Sequence, residues 1–148
     1  TADRFVAMVC QRAEQLGAHV VIDRSQKDWG QEIRRLTGKR GVDLVVDNVG
    51  AATLKTSIKA TSRGGRIVII GNTSGPKAEI DLRYIFSKQI SLIGSTMGTH
   101  HDFRQITELL WKGRLDPVID RVLPLSEGKE AFRIMENSDQ FGKLVLIP

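Results

Sequence analysis

Three sets of mostly small and polar residues occur along the chain, each after a short apolar run. They follow Val46, Ile70 and Ile93, and together they are Asp47, Asn48, Val49, Gly50, Gly71, Asn72, Thr73, Ser74, Ser95, Thr96 and Met97. Glycines let a ligand approach the backbone closely, while amide and hydroxyl side chains can hydrogen-bond ribose hydroxyls or a carboxamide. Any one of these sets also fits a turn that uses Gly and Asn for its backbone geometry. Three such sets together favour a binding site.

The segments around these sets alternate between short β-branched runs and stretches of helical period, which is typical of a layered α/β protein. The pattern predicts strands at residues 19–22, 42–46, 66–70, 90–93, 118–123 and 143–147, with helices between them. Ser25 is the expected N-cap of the helix that carries Trp29, Ile33 and Leu36. In an open parallel sheet, ligands bind at the carboxyl ends of the strands. The three polar sets are therefore expected along one edge of the sheet.

Composition limits the possible classes of protein. The 148 residues are enough for one domain, and the net charge of +5 comes from dispersed basic residues, while aromatic residues make up only 5% of the chain. We therefore expect no nucleic-acid partner. Cys10 is the only cysteine, which excludes an intrachain disulfide and any zinc site built from two or more thiolates. A cytoplasmic protein without zinc and without a membrane segment is expected.

The remaining reactive side chains give no catalytic constellation. His100 and His101 are adjacent and point in different directions, so they are expected to begin a helix with Asp102 rather than to bind a metal. Cys10 lies beside an apolar stripe and Tyr84 lies among apolar neighbours, which indicates packing for both. The catalytic residues stay unassigned.

Six short fragments are specific in their order and spacing: Leu16-Gly17-Ala18, His19–Asp23, Arg40–Asp43, Val45–Gly50, Gly64–Val68 and Gly142–Val145. Together they resemble the zinc-type alcohol dehydrogenase and quinone oxidoreductase family of medium-chain dehydrogenases, and the resemblance covers roughly residues 11–148. It implies a partial Rossmann-like, doubly wound, mostly parallel α/β sheet over residues 1–148, with about 118–148 as the family's C-terminal return segment. It also implies NADP or NAD as cofactor, with NADP favoured.

The resemblance also suggests where the cofactor would lie. Asp47–Gly50 and Gly71–Ser74 would flank the ribose and nicotinamide, Gly94–Met97 would approach the nicotinamide ring, and the turn at Gly142 and Lys143 would lie nearby. The strand at 90–93 would pair with a second copy, which implies a homodimer.

The chain also departs from the family pattern. No Gly-rich phosphate-binding loop precedes the first helix, and the first strands and the catalytic domain of the family have no counterpart in the sequence. Asp3 or Arg4 could select the ribose 2′ group, or simply open the first helix. We expect a truncated cofactor-binding portion of a hydride-transfer enzyme, weak or inactive alone, with an altered or oligomeric sheet. The alternative is a non-enzymatic oligomerisation or protein-binding module that has kept the fold.

Overall fold

A computed structural model describes residues 2–148, and side chains from residue 5 onward. The hypothesis for the Asp3 and Arg4 side chains therefore lies outside the described residues. The chain divides into two compact units. One runs from Ile22 to Met97, and the other combines the segment that ends at Val21 with Gly98–Pro148.

The 22–97 unit is a parallel three-stranded sheet with helical connections. Its elements in chain order are α2 (Trp29–Leu36), β1 (Val42–Asp47), α3 (Leu54–Ala60), β2 (Thr61–Ile69), α4 (Leu82–Lys88) and β3 (Ser91–Gly94). The strands lie in the order β1-β2-β3, so β1 and β3 form the two edges. Leu54, Ile58, Ile67 and Ile90 form its buried core. The predicted parallel α/β arrangement is confirmed for this unit.

The other unit contains α1 (Ala2–Gln15), α5 (His100–Trp111), β4 (Ile119–Pro124), a 3₁₀ turn (Leu125–Glu127), α6 (Gly128–Glu136) and β5 (Lys143–Ile147). Its two strands pair in parallel. His100 and His101 begin α5 as expected, since the Thr99 hydroxyl accepts from the Asp102 amide while the Asp102 carboxylate accepts from the Thr99 amide. No helix in the described part of the chain is long and apolar enough to cross a bilayer.

Two sequence predictions about local structure are wrong. Residues 19–22 do not form a strand, because an apolar run becomes a strand only where a neighbour completes its hydrogen bonds, and these residues have none in the described sheets. The N-cap of α2 is Asp28 rather than Ser25. Its carboxylate accepts from the Gly30 and Gln31 amides at 3.0 and 3.1 Å, so the helix begins at Trp29, three residues later than a Ser25 N-cap implies.

The second strand is longer than predicted. It begins at Thr61 instead of Arg66 and includes Gly64 and Gly65. The register with β1 shifts between Val42 and Leu44, so the glycines lie where the ladder is irregular. A side chain at Gly65 would come within 2.5 Å of the Thr61 methyl group, which explains why the chain has no side chain there.

Candidate functional site

Asp47 organises the turn that leaves β1. Its side chain is 4% exposed, and one carboxylate oxygen accepts from the Val49 and Gly50 amides at 3.0 and 2.9 Å. The Thr53 hydroxyl lies 2.8 and 2.9 Å from the two oxygens, and the Ser57 hydroxyl donates to the second at 2.8 Å. The carboxylate thus joins the strand end to α3, and its position is fixed by four donors.

The ionisation of Asp47 is set by two opposing effects. Burial raises the pKa of this carboxyl group, but the hydrogen bonds from Gly50, Thr53, Ser57 and Val49 together outweigh burial and bring the pKa below the ordinary value of 3.8. Asp47 is therefore a carboxylate at neutral pH. Its hydrogen bonds to the Val49 and Gly50 amides fix the loop after β1.

The second polar loop is fastened to the first by hydroxyl groups. The Ser74 hydroxyl donates to the Val49 carbonyl at 2.7 Å and accepts from the Ala52 amide at 2.9 Å. The Ser74 amide donates to the same Val49 carbonyl at 2.9 Å. The Thr73 hydroxyl makes a longer contact of 3.4 Å with the Asn48 carbonyl. The loops after β1 and β2 are thus brought together, as predicted for strand ends on one edge.

Glycines permit this close approach of the two loops. Gly50 has a φ of +86°, and a side chain there would come within 3.0 Å of the Asn72 Cα atom. A side chain at Gly71 would come within 2.8 Å of the Asn48 carbonyl oxygen. Both glycines therefore serve the packing of one loop on the other, in addition to any role toward a ligand.

The third polar set continues from β3. The Ser95 amide donates to the Ile69 carbonyl at 3.0 Å, which places this residue beside the end of β2. Ser95 and Thr96 are exposed, and Met97 is 95% exposed with a φ of +46°. All three predicted sets thus follow neighbouring parallel strands at the same end of the sheet.

A cleft of about 270 Å³ opens beside the end of β1. It is lined by Ile22, Arg24, Trp29, Val45, Val46, Asp47, Asn48, Val49, Thr53 and Ser57. Val46 supplies an apolar wall that is 60% exposed, while Asn48 and Arg24 offer exposed amide and guanidinium donors. The cleft therefore combines an apolar surface with hydrogen-bond donors and a cation.

Sequence reasoning missed Arg24, Trp29, Thr53 and Ser57 in this cleft. Thr53 and Ser57 are four residues apart and follow a strand that ends in Asp, which is a usable signal for hydroxyls on one helix face. Arg24 gave no such signal because it lies in an irregular segment, and Trp29, the first residue of α2, reaches the cleft only through the tertiary fold.

Metal ligands are not grouped in the described part of the chain. Among those residues, no three His, Cys, Asp or Glu side chains are placed to hold one metal ion. The described residues therefore do not fit a zinc site, and no zinc chemistry is assigned to them. Tyr84 packs against the apolar core of its unit, as expected, and Cys10 is half-buried.

Comparison with known proteins identifies the family. The sequence profile of the zinc-binding dehydrogenases matches residues 8–112. The chain belongs to the zinc-binding dehydrogenase family. An NAD-dependent alcohol dehydrogenase of Saccharolobus solfataricus is 35% identical over 139 residues, which are 93% of this chain and 40% of that protein. A quinone oxidoreductase of Rattus norvegicus is 29% identical over 140 residues, or 90% of this chain and 42% of that protein.

The solved structure of a crotonyl-CoA carboxylase/reductase in complex with NADP has a similar fold. The two structures superpose with a TM-score of 0.85 at 25% sequence identity. The match covers 93% of this chain and 40% of the crotonyl-CoA carboxylase/reductase chain. The Rossmann-like fold of this zinc-binding dehydrogenase family member is thereby confirmed, as is the family resemblance seen in the sequence. The chain spans about 40% of the length of these three proteins.

Proposed function

We propose that this chain is the NAD(P)-binding portion of a hydride-transfer oxidoreductase of the quinone oxidoreductase and alcohol dehydrogenase type. We propose that residues 1–148 make up this portion, with 118–148 as a return segment, and that turnover by the chain alone is weak or absent. One observation carries the proposal. Three Gly- and hydroxyl-rich loops lie at one end of a parallel sheet, and the first of them lines a cleft with exposed donors.

The exposed residues of this edge suit a dinucleotide. The Asn48 amide would hydrogen-bond a ribose hydroxyl, with Val46 and Trp29 providing apolar surface beside it. Ser95, Thr96 and Met97 would lie nearer the nicotinamide, together with the Gly71–Ser74 loop. Asp47 is buried beneath the edge and acts as a positioning residue through its hold on Val49 and Gly50.

The bound nicotinamide supplies or accepts the hydride, whereas the protein supplies orientation and electrostatics. The described residues contribute orientation, because Ser74 and Gly50 fix one loop against the other. No proton donor or acceptor is assigned to this portion.

NADP is proposed over NAD because Arg24 lines the cleft. A guanidinium group beside the strand end can bind the 2′-phosphate that distinguishes NADP. We also propose that the chain is cytoplasmic and forms a homodimer through the β3 edge, where Leu92 and Ile93 are 38% and 42% exposed.

The test is calorimetric titration of the purified chain with NADPH and with NADH. Saturable binding of NADPH is expected, and Asn48→Ala should weaken it about fivefold, the effect of one lost hydrogen bond. Asn137→Ala, in the other unit, is the matched control and should leave the affinity unchanged. No binding of either nucleotide at millimolar concentration would contradict the proposal and favour the non-enzymatic module instead.

A further inference from the structure

A second cavity lies on the other side of α3 from the cleft beside the end of β1, which we call the strand-end cleft. It has a volume of about 620 Å³ and opens between α3 and the segment that leads into α4. The strand-end cleft is lined by Thr53 and Ser57 of this region, whereas the second cavity is lined by Lys55, Ile58 and Lys59. No lining residue is shared, so the two can be tested independently. We call the second cavity the lysine pocket.

The floor of the lysine pocket is apolar. Ile58 is 2% exposed, while Ile80 and Tyr84 are half-buried and pack on the core of the unit. The cavity volume lies within the range of about 300–1,000 Å³ that is usual for small-molecule sites. An apolar body of a few carbon atoms or one ring would find contact surface here.

The rim carries two lysines one helical turn apart on α3. Lys55 and Lys59 are exposed, and neither forms a salt bridge within the described residues. Like charges at this spacing repel each other, so the arrangement costs stability unless an anion lies between them. The Lys59 ammonium lies 6.0 Å from the centre of the Tyr84 ring, which directs it over the pocket floor.

Two carboxylates also line the pocket. Asp81 accepts from the Arg83 amide at 3.0 Å and pairs with the Arg83 guanidinium at 2.7 Å, so its salt bridge is with Arg83, while Lys59 interacts with it only at longer range. Glu79 is the one other acidic residue that lines the cavity. A third cation lies near Tyr84, since the Lys88 ammonium is 5.7 Å from the centre of that ring and donates to the Lys59 and Thr61 carbonyls at 2.8 Å.

We propose that the lysine pocket binds a small organic phosphate. The phosphate would lie between the Lys55 and Lys59 ammonium groups, and its organic part would cover Ile80 and Tyr84. A phosphate monoester carries nearly two negative charges at neutral pH, which match the two unpaired lysines. The ligand is separate from the dinucleotide of the strand-end cleft.

The experiment records amide chemical shifts of the ¹⁵N-labelled chain during titration with phenyl phosphate, inorganic phosphate and benzyl alcohol. Phenyl phosphate should produce saturable shifts in α3 and in residues 79–84, with an affinity at least about tenfold above that of either partial ligand. Equal affinity for inorganic phosphate would overturn the role of the apolar floor. No saturable shift in these segments at about 10 mM phenyl phosphate would overturn the site itself.

Variants separate the charges of the pocket from general electrostatics. Lys55→Gln and Lys59→Gln should each weaken phenyl phosphate binding about two- to fivefold, whereas Glu79→Gln should strengthen it about twofold. Lys129→Gln on α6 removes the same charge outside the pocket and should change nothing. An equal effect of Lys129→Gln would contradict a defined site. The affinity of the Lys55→Gln variant for NADPH should be unchanged. Failure of the phosphate site can therefore be distinguished from failure of the dinucleotide proposal.

Discussion

Replacing Asp47 with alanine tests whether this carboxylate holds the candidate site together. The variant would leave the Val49 and Gly50 amides and the Thr53 and Ser57 hydroxyls without their acceptor, at a position where the native side chain is only 4% exposed. Hydrogen bonds to a charged group contribute about 1.5–3 kcal/mol, and hydroxyls can find other partners. The two backbone amides therefore dominate, and we expect a loss of about 3 kcal/mol in the free energy of unfolding.

The assay is urea unfolding followed by circular dichroism. With a slope of about 2 kcal/mol/M, the expected loss lowers the midpoint by about 1.5 M. Asp47→Asn keeps one acceptor oxygen for the two amides and should lose about half as much. Asp116→Ala removes an exposed carboxylate and serves as the control. A midpoint shift for Asp47→Ala no larger than that of the control would show that the Asp47 carboxylate does not hold the site together.

The Asp47→Asn variant also gives a prediction for the pH dependence of stability. Because the folded-state pKa of Asp47 lies below 3.8, its ionised form stabilises the fold above that value, and this contribution is lost as the pH falls through the folded-state pKa. The difference in unfolding free energy between wild type and Asp47→Asn should therefore be constant near neutral pH and shrink below 3.8. A difference that stays constant down to the acid transition would contradict the ionised state.

Three further predictions concern the loops and the cleft. Gly50→Ala should lower the unfolding free energy by about 1–3 kcal/mol, because this residue has a positive φ and lies close to the backbone of the neighbouring loop. Gly94→Ala is the control: it has open space around it and should change the unfolding free energy by less than about 0.5 kcal/mol. Equal effects of the two substitutions in urea unfolding would contradict this prediction. Ser74→Ala should speed hydrogen exchange of the Ala52 amide severalfold, and an unchanged rate would show that the hydroxyl bridge is unimportant. Arg24→Gln should weaken NADPH binding about tenfold and leave NADH binding unchanged in calorimetry, and equal losses would contradict 2′-phosphate binding.

The sequence predicted the elements well where periodicity and strand ends were clear. Strands β1, β3, β4 and β5 lie within one or two residues of their predicted bounds, because continuous apolar runs between turn residues are a strong signal. The run at 19–22 has the same composition but no partner strand in the described sheets, so composition alone misled. Which strands pair with one another depends on the tertiary fold, and the local sequence pattern does not show it.

The candidate site was predictable in place but not in internal organisation. Residues after β1, β2 and β3 share an edge because parallel strands end together. The sequence did not show that Asp47 faces inward to four donors, nor that Ser74 bridges 22 residues to Ala52. Arg24 enters the cleft from an irregular segment that carries no periodic signal. These features depend on long-range packing, which a local pattern does not encode.

The most direct test of the cofactor proposal is a map of amide chemical shifts in the ¹⁵N-labelled chain titrated with NADPH. Saturable shifts should concentrate at Asn48, Gly71 and Ser95, with larger changes there than in α6 of the other unit. Shifts absent from all three strand ends, or no saturable shift at millimolar NADPH, would contradict a nucleotide-binding role for this edge of the sheet.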